Sequence, residues 1–194
     1  MVVLNNEQRV NFEKLISGQE KNTKGFIEYW TTYSDLSSWQ FWAILLMLIV
    51  PLVVLYFTID RKNIFIIGFF GFAIHVLFAW VEMFGIRSGL WGYPYQIIPY
   101  LPSISLDVSL IPIVIMLVFQ WTLNNKKNFY LYGILTAAVF GFGFKPLLTS
   151  FDLFQMYKWV NFPLVFLLYV VIFFIAYLVT KLFMRMQEKG VKRK

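Results

Sequence analysis

The run WQFWAILLMLIVPLVVLYFTI, Trp39 to Ile59, is 21 residues long and holds no charged side chain. About 20 apolar residues wound as a helix cross the hydrocarbon of a bilayer. The stretch therefore reads as a first transmembrane helix, closed by Asp60-Arg61-Lys62-Asn63. Working outward, a second apolar run covers Ile64 to Ile86 and a third covers Ser103 to Trp121, with Pro112 inside it. Asn124-Asn125-Lys126-Lys127-Asn128 precede a shorter fourth run, Phe129 to Phe144, and a fifth runs from Phe162 to Phe183. The pattern predicts an all-α integral membrane bundle of about five transmembrane helices. Residues 1–38 form an extramembrane or interfacial amino-terminal segment, 39–184 the bundle, and 185–194 a basic tail.

Composition supports this class. Hydrophobic residues make up 59% of the 194, charged residues only 14%, and the mean hydropathy is +0.67. A soluble domain of this length has too few charges here to cover its outside. The formal charge of +7 could suggest nucleic acid, but membrane proteins gather basic residues in loops. No nucleic-acid partner is expected; the lipid bilayer is. Cysteine is absent, which excludes disulfides and thiolate metal sites.

Basic residues also set an orientation. Arg61, Lys62, Lys126, Lys127, Lys181, Arg185, Lys189, Lys192, Arg193 and Lys194 fall on one side, against Lys24, Arg87, Lys145 and Lys158 on the other. The richer side faces the cytoplasm, so the expectation is a multi-pass protein of the cell membrane with its amino terminus outside and its carboxyl terminus cytoplasmic. Met1 to Leu4 is too short an apolar stretch for a signal peptide. The amino-terminal segment is expected to be partly helical and interfacial, because Phe26, Tyr29, Trp30 and Tyr33 recur at three- and four-residue spacing. Trp39 and Trp42 continue this aromatic belt; a lid over an outward-facing cavity is the sharper alternative.

The second helix carries the most informative pattern. Gly68, Gly71, His75, Ala79 and Glu82 are spaced by three or four residues, so they share one helical face. Small residues admit a neighbouring helix and ionisable ones avoid lipid, so this face should look into the bundle. Gly133, Ala137 and Gly141 on the fourth helix offer a matching seam. His75, the only histidine, lies too far along the axis from Glu82 to share an ion with it. It reads as a cross-helix hydrogen-bonding group, or as a ligand or proton contact. Neither a metal nor a cofactor is expected.

Glu82 sits near the outer end of its helix, where a carboxylate must be paired, hydrated or protonated. Arg87 could fold back onto it. Asp107 falls in the first turn of the third helix, after Ser103 and Ser105, where the helix dipole favours an acid. If both acids converge with Trp80, Trp91, Tyr93 and Tyr95, they form an aromatic, acidic pocket at the outer rim.

The segment from Glu82 to Gly89-Leu90-Trp91-Gly92-Tyr93-Pro94 resembles part of the membrane-embedded lycopene cyclase domains, where an acid precedes Gly-x-Trp-x-Tyr-Pro at the same spacing. In that family a proline and two adjacent glutamates open the next helix. Here Pro102 and the single Asp107 stand in a comparable place, and the gap from the tryptophan is shorter. The resemblance covers Glu82 to Asp107. It implies an acid that protonates a polyene carbon, with Glu82 or Asp107 as the catalytic group and Trp91 and Tyr93 as cation-stabilising faces. The whole chain resembles small multispanning proteins of spore-forming Gram-positive bacteria, which implies a membrane fold and no particular activity.

Two functions therefore stand as expectations. The first is binding of a small apolar or lipidic ligand, or a partner protein, at the outer face through His75, Arg87, Trp91, Tyr93 and Tyr95. The second is a membrane-embedded isomerase or cyclase using Glu82 as its acid.

Overall fold

The computed structural model describes residues 5–191; Met1 to Leu4 and the tail residues Lys192, Arg193 and Lys194 lie outside the described residues. Helix α1 (Asn6–Tyr33) opens on a capping box, in which Asn5 Oδ1 accepts from the Gln8 N–H and Gln8 Oε1 accepts from the Asn5 N–H. It buries none of its side chains. Helices α2 (Trp39–Thr58) and α3 (Ile64–Arg87) are the first two spans. The third comprises a π-helical turn (Ser105–Leu110) and α4 (Ile111–Asn124). The fourth runs from α5 (Phe129–Ala138) through a second π-helical turn (Val139–Phe144) into α6 (Lys145–Ser150). The fifth is α7 (Phe162–Val191). Five continuous helices among the described residues are thus long and apolar enough to cross a membrane, as the sequence predicts.

Two boundaries differ from the sequence reading. The fourth span does not stop at Phe144 but continues to Ser150, which carries Lys145 inside it. The fifth continues past Phe183, so Arg185 and Lys189 project from helix rather than from a separate tail.

Both π-helical turns end directly before a proline-bearing first turn, Ile111-Pro112 and Lys145-Pro146. Proline lacks an N–H and its ring clashes with the carbonyl four residues back, here on Val108 and Phe142 within the widened turns. The wider winding relieves that clash. Pro51 leaves α2 regularly helical, so proline alone does not dictate the widening.

Aromatic rings fill the bundle between the spans. At one end Phe70 meets Phe119 at 4.5 Å and Phe129 stacks on Tyr177 at 4.6 Å between ring centres. Toward the other end Phe78 meets Tyr169 at 5.3 Å, and Tyr169 meets Phe140 at 5.6 Å. The glycine seams divide. A Cβ on Gly71 would run into the Met116 side chain of α4, and one on Gly141 would lie 2.8 Å from the Phe166 Cβ of α7. Gly133 faces Phe174 at ordinary contact distance, whereas Gly68 meets nothing and lines an open apolar groove between α3 and α7. Gly68 is thus the exception to the bundle-facing stripe, because the two helices have parted at that end.

Polar clasps hold the helix ends. After α2, Asp60 accepts from the Lys62 N–H and the Asn63 side chain, while the Gln120 amide of α4 bonds both the Asp60 N–H and the Thr58 carbonyl. The opposite ends of α3 and α6 are joined by a two-stranded antiparallel ribbon, β1 (Trp91–Gly92) against β2 (Gln155–Met156). The Tyr157 N–H adds a bond of 2.8 Å to the Leu90 carbonyl. Gly89, Asp152 and Lys158 take positive φ to turn the chain into this ribbon.

Candidate functional site: a capped polar core

The ribbon acts as a cap, and its side chains reach down into the ends of the spans. Gly85 makes this possible on α3. A Cβ there would overlap the Trp91 indole, so the absent side chain lets the ring lie on the helix surface. The indole then reaches Glu82, one turn lower, and its Nε1–H donates to Oε2 at 2.7 Å. Tyr93 donates its hydroxyl hydrogen to Oε1 of the same carboxylate at 2.9 Å. Lys145 donates to the Tyr93 oxygen at 3.2 Å, and its ammonium rests 3.6 Å from the Phe154 ring centre.

Glu82 is 8% exposed and Lys145 is 2% exposed, so this chain of contacts is buried. Both Glu82 carboxyl oxygens act as acceptors. Burial and the neighbouring Glu82 and Asp107 carboxylates push the Tyr93 phenol well above its usual range, which keeps it a donor. Beside the cluster lies a cavity of ≈ 20 Å³ lined by Glu82, Trp91, Lys145, Phe154 and Tyr169 among others. That is room for about one water molecule.

Asp107 approaches on the π-helical turn of the third span. It is 6% exposed; Ser103 Oγ is hydrogen-bonded to Oδ2, while Oδ1 is buried without a partner. Glu82, Asp107 and Lys145 lie within electrostatic reach of one another. His75 meets Asp107 through the main chain, its Nδ1 standing 2.8 Å from the Asp107 carbonyl oxygen. A carbonyl only accepts, so this nitrogen carries the hydrogen. The histidine bridges two spans, as its lone position on the bundle face suggests.

The outer parts of the expected pocket disperse. Arg87 is exposed and makes no ion pair with Glu82; the cation that serves this carboxylate is Lys145, because Arg87 lies past the turn that faces the bundle. Trp80 is 62% exposed and points away from the acids. Tyr95 is half-buried on the far side of the cap, near Tyr29 of α1. Gln96 beside it ties α1 down, since its carbonyl accepts from Trp30 Nε1 at 2.8 Å and from the Ser34 hydroxyl at 3.0 Å.

Lys145 is the site residue that sequence reading misplaced, by assigning it to an outer loop. Its signal is a lone cation inside the apolar stretch Val139 to Leu148, which fits a span better than a loop. Fold and site together define a polytopic all-α membrane protein with a capped polar core. No family model, no curated protein and no solved structure matches the chain.

Proposed function

We propose that this is a non-enzymatic multi-pass protein of the cell membrane that binds a small apolar or lipidic ligand, or a partner protein, at its outer face. The amino terminus lies outside and the carboxyl terminus in the cytoplasm. The observation that carries the binding reading is the double engagement of Glu82 by Trp91 and Tyr93. A carboxyl held on both oxygens by fixed donors is not free to approach a substrate. Only about a water's room adjoins it, far less than a polyene needs. These two facts weigh against the isomerase or cyclase reading with Glu82 as acid. The same cluster stiffens the cap, and a rigid platform loses little entropy on binding.

Trp39, Tyr100, Phe151, Tyr157 and Trp159 are exposed around the cap. Such rings suit the headgroup level and supply faces for an apolar ligand. The orientation rests on the basic residues, and burial of Lys145 removes one from the poorer side.

Native mass spectrometry of the purified full chain tests the reading: a lipid or small apolar molecule should co-purify, and Trp159→Ala with Tyr157→Ala should release it. Turnover of a polyene that stops with Glu82→Gln, while folded yield is kept, would instead establish the enzyme.

A further inference from the structure

Asp107 is the acid that the cap leaves unpaired. Its Oδ2 meets only the Ser103 hydroxyl, and its Oδ1 is enclosed with no donor. No Lys, Arg or His nitrogen makes an ion pair with it among the described residues. The groups that face it can be named from each neighbouring element. Helix α3 contributes Glu82, and His75, which contacts only the main chain. The cap contributes Tyr93, α6 contributes Lys145, and α7 contributes Tyr169. Helix α2, which receives the Ser109 hydroxyl bond on its Leu48 carbonyl, has no Asp, Glu, Lys, Arg or His.

The balance of charge is therefore two carboxyls against one ammonium. That ammonium is committed to the phenol that bonds Glu82 and to the Phe154 ring. An ionised Asp107 would leave its desolvation uncompensated beside a second negative group. A neutral acid resolves both problems, because its hydroxyl can bond Ser103 and its carbonyl oxygen carries little charge. The π-helical turn adds a second observation, since such turns concentrate at functional sites.

We propose that Asp107 is a proton-binding site in the outer half of the membrane core, loaded at neutral pH and distinct in role from the fixed Glu82 carboxylate. The proton resides on the carboxyl group and leaves to water when the O–H bond breaks. Release adds a negative charge within reach of Lys145, which then has Asp107 to serve as well as the Tyr93–Glu82 link.

Infrared spectroscopy of the full chain in lipid vesicles tests this site independently of any outer-face ligand. At neutral pH a protonated-carboxyl stretch should be present, shift in heavy water and vanish in Asp107→Asn. Because asparagine mimics a neutral acid, Asp107→Asn should also retain wild-type thermal stability. Should that variant fail to fold, Ser103→Ala serves instead and must move the band by removing its hydrogen bond. Absence of the band in the wild type overturns the proposal, as does a band that persists in Asp107→Asn or one indifferent to Ser103→Ala. Loss of the band on adding sodium ions would also overturn it, in favour of a metal-cation site.

Discussion

At the scale of single residues, Glu82 and Lys145 depend on each other through one phenol. Removing either partner leaves a buried charge uncompensated, which costs ~3–5 kcal/mol for a directly paired ion. The Tyr93 bridge separates these two, so Glu82→Gln or Lys145→Met should each cost about 3 kcal/mol, at the low end of that range. The double variant should cost less than the sum of the singles, and thermal unfolding in detergent across all four proteins checks the coupling. Simple additivity would mean the residues act apart. Gly85 makes a separate demand. Gly85→Ala should push the Trp91 indole off Glu82, with a loss of about 1–3 kcal/mol from overpacking and a red-shifted tryptophan emission. An unchanged spectrum would show that the ring has room to spare.

Elements respond to different forces. The clasp after α2 rests on Asp60, whose carboxyl is held below its usual range by hydrogen bonds from the Asn63 side chain and the Lys62 N–H. A lowered folded-state value means the clasp contributes stability above the ordinary aspartate range and loses it as pH falls through the folded value. The protection of the Lys62 and Asn63 amides, taken relative to the free-amide rate at each pH, should therefore fall on acidification below that range, and in Asp60→Asn it should be low at every pH. Equal protection in the variant would sink the clasp.

What the sequence discloses at this level is uneven. The first two spans are legible because the charged turn Asp60 to Asn63 separates two long apolar runs. The end of the fourth is hidden because Lys145 looks like a boundary, when an aromatic face and a phenol make its burial possible. Glu82 on the inward stripe with Trp91 and Tyr93 near it is legible from spacing. The identity of its cation is not, because 63 positions separate Lys145 from Glu82 and only the fold joins them. Gly85 reveals its purpose only once the indole is seen lying on it.

For the molecule as a whole, the directional prediction is topological. A reporter active only outside the cytoplasm should be silent when fused after Val191 and active when inserted at the exposed Tyr100 of the cap loop. The reverse pattern would invert the protein in the membrane. Packing gives a second whole-molecule expectation. Gly71→Leu should overpack the contact with Met116 and cost ~1–3 kcal/mol, whereas Gly68→Leu fills open space beside α7 and should leave stability nearly unchanged. Similar losses from both would erase the distinction between sealed and parted ends of that helix pair.

The ribbon between β1 and β2 has one more consequence, for the order in which the chain is made. Its strands come from the connection after α3 and the connection before α7, so Trp91 and Met156 are 65 positions apart in the chain when they meet. A ribosome that has delivered the first three spans has made Trp91 and Tyr93 but neither their strand partner nor Lys145. Until then Glu82 has no ammonium nearby, and the half-built protein holds two intramembrane acids with no cation between them. The fourth and fifth spans thus supply the missing charge and the missing strand together. A chain halted at Asn125 should be recognisable to membrane quality control as unfinished, and supplying residues 126–194 as a separate polypeptide should rescue it.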